Sequence, residues 1–395
     1  MDVRILWGSP LPPVKSGVSD YAVELLPRLA RRCAVRVLVP PGCEADRIAG
    51  LCPGCEPVPA DAPLLPGEVP VLNLGNNPHH LWLVPRLGEG RPVVVLHDLV
   101  LHHLLVEATV TRGDMAAYAG MLGMAEPVAG PVLARARGVG FSGRRDPFLF
   151  PARKAFLEGA RAVVVHSRWA AGQVGDDRPD LPILVLPLPT EDPGEELDRA
   201  SLRGSIGAAD GGLVVMHLGF LTPAKGLAEI VGGLAVARRL GVPVRLVLVG
   251  EGAAEPILEA AARLGLEGNV AATGWVDPRT LRRLPAAADL GVVLRTPSAG
   301  ETSAAVLRFL AAGTPVAVGG LHQFLEWPID AAPRITPGPS AMAELARLLV
   351  SIDRERGGTT GGERRVRARE TYVKGGHHPG VAAETLADFL EGVAG

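Results

Sequence analysis

The feature that most constrains this chain is a repeated alternation. Short runs of valine, leucine and isoleucine, apolar almost throughout, are each followed by a stretch of helical periodicity. A strand with no polar face has both sides buried, which occurs where helices cover a parallel sheet above and below. The first half offers such runs at 3–8, 34–40, 69–75, 92–98, 162–166 and 183–188, and the second half at 213–219, 245–250, 269–274, 290–295 and 315–319. Helical segments fall at 18–32, 224–240, 253–264, 302–312 and 379–393.

With 395 residues the chain exceeds one ordinary core. The expected fold is α/β, with two doubly wound parallel-sheet domains and a cleft between them. The seam is expected in the polar stretch 189–197, giving domains 1–190 and 191–376, with a C-terminal helical segment 377–395 crossing back to the first. The stretch 354–367 reads as a mobile, charged, glycine-rich surface segment.

A net charge of −2 and only 4% aromatic residues argue against a nucleic-acid partner. Four lysines against many arginines suggest a high-GC, bacterial origin, and draw attention to Lys225 as one of the few. Cys52 and Cys55 form a single CxxC with no complete zinc set around it, so the four cysteines read as free thiols of a reducing compartment. The chain opens directly into a strand and has no span of membrane length. A cytoplasmic location follows, with contact at the inner face of a membrane left open; the oligomeric state is not specified.

Ligands of open parallel sheets bind beyond the carboxyl ends of the strands. Five such ends carry unusual polarity. Lys225 stands at an expected helix start, where free N–H groups and the positive dipole end favour phosphate. Gly300 permits close backbone approach, Glu301 can accept from sugar hydroxyls, and Thr302 and Ser303 can cap a helix or bond phosphate. His97 and Asp98 top a buried strand, with His102 and His103 one turn on. Ser16, Gly17 and Asp20 open the first helix, and Asn76 and His80 follow the third strand. Each has a plain alternative: a surface lysine, a capped helix, a packed core histidine. No common metal-binding spacing is present.

Taken together, these stretches resemble the family-4 retaining glycosyltransferases of the GT-B fold (glycosyl transferases group 1). The resemblance rests on Ser16-Gly17-Val18-Ser19-Asp20-Tyr21, Gly75-Asn76-Asn77 with His80, His97-Asp98 with His102-His103, Gly219 through Lys225-Gly226, Thr273-Gly274-Trp275-Val276, and Gly300-Glu301-Thr302 followed by Gly313-Thr314-Pro315. It implies metal-independent transfer, with retention, of a sugar from a nucleotide-diphosphate donor to a glycan, lipid-linked or small-molecule acceptor. The implied catalytic set is His97, Asp98, Lys225 and Glu301, with His97 and Asp98 positioning the acceptor. The implied donor set is Gly17, Gly219, Lys225, Gly274, Trp275, Val276, Arg295, Gly300, Glu301, Thr302, Ser303 and Arg308. The implied acceptor set is Ser16, Gly17, Asp20, Asn76, His80 and His102. No cofactor beyond the donor is implied, and its base is not specified. Two departures stand out: Phe220 where the family often has arginine, and Arg308 where it has a glutamate that holds the donor ribose. The second leaves an inactive binding or partner subunit of the same fold as the alternative. A phosphorylase or synthase of this fold is a further one. A nicotinamide oxidoreductase fits poorly, because Gly250-Glu251-Gly252 lacks the third glycine of the dinucleotide turn.

Overall fold

The computed structural model describes residues 3–194, 197–208, 211–356 and 358–394. Residues 1–2 of the chain start, 195–196 and 209–210 around the seam, 357 of the charged segment and the final residue lie outside the described residues. The chain divides into two compact units: Met1–Pro189 with Ala299–Thr302 and Pro379–Gly395, and Thr190–Ser298 with Ser303–His378.

The first unit holds a parallel sheet of β1 (Arg4–Gly8), β2 (Ala34–Leu38), β3 (Glu56–Val58), β4 (Glu68–Leu74), β5 (Val93–Leu96), β6 (Ala162–Val165) and β7 (Ile183–Val185), in the order β3-β2-β1-β4-β5-β6-β7. The second holds β8 (Leu213–Leu218), β9 (Val244–Val249), β10 (Val270–Gly274), β11 (Leu290–Val293), β12 (Val316–Gly319) and β13 (Arg334–Ile335), in the order β10-β9-β8-β11-β12-β13. β3 and β13 have no counterpart among the expected strands. They have three and two residues, too short for a periodicity to register.

Every residue of β8 is buried, and alternate side chains enter opposite layers. Leu213 and Val215 pack with Ile230, Leu234, Leu345 and Leu349 on one face. Val214, Met216 and Leu218 pack with Phe309, Leu310 and Tyr372 on the other. This period of two, apolar in both phases apart from His217, is why the strand reads as a nearly continuous apolar run.

The stretch expected to be mobile instead contributes most of a helix, Thr359–Lys374. Ala368 and Tyr372 are buried, while Arg365 and Arg369 donate to the backbone carbonyls of Ala288 and Ala311. The helix survives its glycines because packing and guanidinium bonds, not propensity, hold it. The last helix, Pro379–Ala394, packs on Gly17–Leu29, and Arg32 meets Glu384, Asp388 and Glu391 along it. No helix among the described residues is long and apolar enough to cross a membrane.

Candidate active site

In each sheet the strand order reverses beside its first strand, between β1 and β4 and between β8 and β11. A crevice opens at such switch points because the following chain leaves in opposite directions. In both units a polar side chain takes over where the backbone ladder ends. The β1–β4 register stops at Gly8 and Leu72, and the next residue, Asn73, donates from Nδ2 to the Gly8 carbonyl at 3.1 Å. The β8–β11 register stops at Met216 and Gly291, and the next residue, His217, donates from Nδ1 to the Val292 carbonyl at 3.0 Å.

At the second-unit crevice, Gly219 has φ 117° and Gly250 φ 143°, a region L side chains rarely enter. A Cβ on Gly250 would lie 2.2 Å from the Gly219 carbonyl oxygen, so the turns after β8 and β9 interlock backbone to backbone. Pro223–Lys225 forms a 3-10 turn, and the helix proper begins at Leu227. Lys225 therefore precedes the helix start it was expected to occupy. Thr296 N donates to the Ala224 carbonyl at 3.1 Å, which ties the turn after β8 to the loop after β11 carrying Arg295. Lys225 and Arg295, both half-buried, lie within electrostatic reach of the buried His217 ring. The next helix runs Ala304–Ala311, shorter than the expected 302–312. Ser303 stands at its cap without a side-chain cap bond. Arg308 lies further along this helix, half-buried. Gly274 (φ 69°) ends β10, Trp275 is exposed, and Val276 packs against the core.

Gly300, Glu301 and Thr302 group with the first unit, although 191–376 was the expected extent of the second domain. The cause is local bonding: Leu99 N and Val100 N donate to the Ala299 carbonyl, and Thr302 Oγ1 donates to the His166 carbonyl. Glu301 is buried there.

Also in the first unit, Ser16 caps the helix Gly17–Leu29 by accepting from Ser19 N. Gly17 is exposed, and a Cβ there would meet nothing within 4 Å. Asp20 is half-buried in the first turn. Asp98 Oδ2 accepts from Asn76 N at 2.7 Å, and Asn76 Oδ1 accepts from the amides of His103 and Leu104 at the next helix start. Gly75 is required by contact, since a Cβ would lie 2.8 Å from His80 Nε2. Asn73 joins the group: its carbonyl accepts from His80 Nδ1 and its Oδ1 from His97 Nε2. His97 stacks edge-on with Tyr21 at 4.7 Å and lies 5.2 Å from His166. His102 is buried with Nδ1 on the Phe150 carbonyl and Nε2 on the Tyr118 hydroxyl, so its ring serves the packing of this unit.

His217 was absent from the expected set. Its signal was available: a single imidazole in the otherwise apolar run Leu213–Leu218. Among the described residues, no group of three or more His, Cys, Asp or Glu is arranged to hold a metal ion.

Burial holds His97 well below its ordinary value and lowers His80 and His217 to about 4 from 6.5. Both latter rings are neutral when folded, and unfolding releases them to take up protons below pH 6.5. The stability they contribute is therefore whole above that pH and lost as pH falls toward 4. Urea unfolding is expected to become easier over this interval, by up to roughly 3 kcal/mol per imidazole. A midpoint that stays level or rises on acidification would contradict it.

Residues 212–349 match the family model described as Glycosyl transferases group 1. A stretch of 169 residues is 32% identical to D-inositol 3-phosphate glycosyltransferase of Segniliparus rotundus, covering 40% of this chain and 37% of that relative's length. Among solved structures, the Anabaena protein HepE in complex with UDP superposes with a TM-score of 0.63 at 17% identity, over 99% of this chain and 100% of that one. Sucrose-phosphate synthase from Thermosynechococcus elongatus superposes with 0.64 at 16% identity, over 98% of each chain. At such identities the superpositions speak for fold. Residues 212–349 are thus similar to the glycosyl transferases group 1, and the chain has the two-sheet GT-B fold.

Proposed function

We propose that this protein transfers a sugar from a nucleotide-diphosphate sugar to an acceptor hydroxyl, with retention of configuration. The observation that carries the reading is the β8–β11 switch point, where the turn carrying Lys225 is tied to the loop carrying Arg295, both cations lie within electrostatic reach of His217, and a helix with an uncapped start follows. Such an arrangement suits a diphosphate, whose charge rises as the glycosidic bond to it breaks. The two cations and the helix start would supply the positive charge, and transfer would need no metal ion. The base would lie near Gly274–Val276, and the HepE complex with UDP supports a nucleotide on this fold. The acceptor would meet the first unit near Gly17, Asn76 and Asp98. The departing phosphate oxygen would take the acceptor proton, leaving His97 and Asp98 to position the hydroxyl.

A thermal-shift series with UDP, GDP, ADP and TDP tests this. One nucleoside diphosphate should raise the melting temperature, since a ligand at about a hundred times its Kd adds roughly 2.7 kcal/mol to the native state. No shift at millimolar concentration with any of them would remove the donor assignment. A shift without hydrolysis or transfer would favour a binding subunit, the second reading that Arg308 in the ribose-binding position supports.

A further inference from the structure

We propose that the helical insertion between β5 and β6 docks this protein on the surface of an anionic lipid bilayer. Val128, Val132, Val139, Phe141 and Leu149 are 89, 65, 73, 74 and 66% exposed. They are the five most exposed of the large apolar side chains among the described residues, and all fall within one short stretch of a long chain. Isolated exposed apolar residues are ordinary; a cluster of the most exposed ones is not.

The local structure explains their presentation. The helix Gly130–Gly138 packs against Met115–Ala125, and a Cβ on Gly130 would lie 2.4 Å from the Leu122 carbonyl oxygen, so the two helices touch. Its inner side is buried at Gly130 and Ala134. Val132 and Arg135 lie on the opposite face of the helix, with exposed Val128 in the turn before it and exposed Val139 just after it. Phe141 and Leu149 stand exposed in the segment that follows the helix.

Charge decides the occupant. Arg135, Arg144 and Arg145 are exposed in this stretch, and no ion pair of theirs occurs among the described residues. The nearby acids are engaged or withdrawn: Asp146 accepts from Gly143 N, and Glu126 is half-buried. The whole chain carries −2, so this positive face runs against the overall balance. In a symmetric dimer through this face, one positively charged surface would have to pack against another. A lipid surface with anionic headgroups accepts both halves of the pattern, apolar side chains entering the acyl boundary and guanidinium groups remaining among the headgroups.

Cosedimentation of the full chain with vesicles tests the proposal without any sugar-transfer readout, so its outcome is independent of the donor assignment. Binding is expected with phosphatidylcholine–phosphatidylserine vesicles, weak with phosphatidylcholine alone, and reduced between about 0.1 M and about 0.5 M salt. Phe141→Asp with Leu149→Asp, and separately Arg144→Glu with Arg145→Glu, should each lower partitioning on the order of tenfold or more while the melting temperature stays at the parent value. Should the aspartate pair melt early, Val132→Ser with Val139→Ser replaces it. Absence of binding to anionic vesicles, equal binding to neutral ones, undiminished binding of well-folded variants, or self-association through this face without vesicle binding would each overturn the proposal.

Discussion

Under the proposed sugar transfer, replacing Lys225 by alanine is expected to lower kcat/KM for the nucleotide-sugar donor on the order of 10²–10³-fold, about 2–4 kcal/mol of transition-state stabilisation. The loss should fall mainly on kcat. Negative charge on the diphosphate grows as the sugar departs, and a fixed cation gains most from the charge that develops last. The turn that carries Lys225 is held by backbone hydrogen bonds. Leu221 N donates to the Glu251 carbonyl, Gly219 N to the Val249 carbonyl and Thr296 N to the Ala224 carbonyl. Removing the ammonium should therefore leave the loop in place and the melting temperature within about 1 °C of the parent, as for a surface change. Arginine at this position should restore only part of the rate, because its charge is spread over a plane on a different stem. Arg295 reaches the same neighbourhood and should keep nucleotide binding measurable, so the diphosphate Kd should rise less than kcat falls. Unchanged turnover in Lys225→Ala would take the lysine out of the reaction, and the donor assignment would lose its principal charge.

The pattern of apolar runs made the two sheets legible because strands buried on both faces leave no polar gap in the sequence. β8 is the clear case, with alternate residues feeding opposite cores. What stayed hidden were contacts that arginine makes with backbone. The segment 354–367 is glycine-rich and charged, yet Arg365 spans the carbonyls of Ala286 and Ala288. Polarity of composition does not distinguish a solvated guanidinium from one that donates to buried carbonyls. The candidate site was legible as positions, since polar residues at strand ends are conspicuous after apolar runs. It was not legible as roles. Asn76 and Asp98 bond into the loop they were expected to project from, His102 is spent on packing, and His217 went unnoticed inside a strand. Burial and partner identity are properties of the folded chain, and one sequence carries them only as a lone polar residue in an apolar run.

The largest loss of stability is expected from Asp289→Ala, which should destabilise the second unit by about 3–5 kcal/mol, the range for removing one partner of a buried ion pair. Asp289 precedes β11, and its side chain is nearly buried, 9% exposed. Its Oδ1 accepts from Arg199, and its Oδ2 accepts from Arg203 and from Val214 N at 2.7 Å. The same guanidinium groups, with that of Arg365, hold the carbonyls of Ala286, Ala287 and Ala288. Burial and its arginine neighbours bring Arg365 down to about 10. Without the carboxylate, three cations would share one small volume with only carbonyl dipoles to face. The Val214 amide would lose its acceptor at the edge of the strand that leads to Gly219. With unit-sized domains losing roughly 2–4 °C per kcal/mol, the melting temperature should fall by about 10 °C. Asp289→Asn keeps an acceptor and should cost less than alanine. Adding Arg203→Met to Asp289→Ala should recover part of the loss, because it withdraws one stranded charge. A variant that melts with the parent, or a double variant additive with its singles, would mean that the carbonyls alone neutralise the guanidinium cluster and that Asp289 is incidental to it.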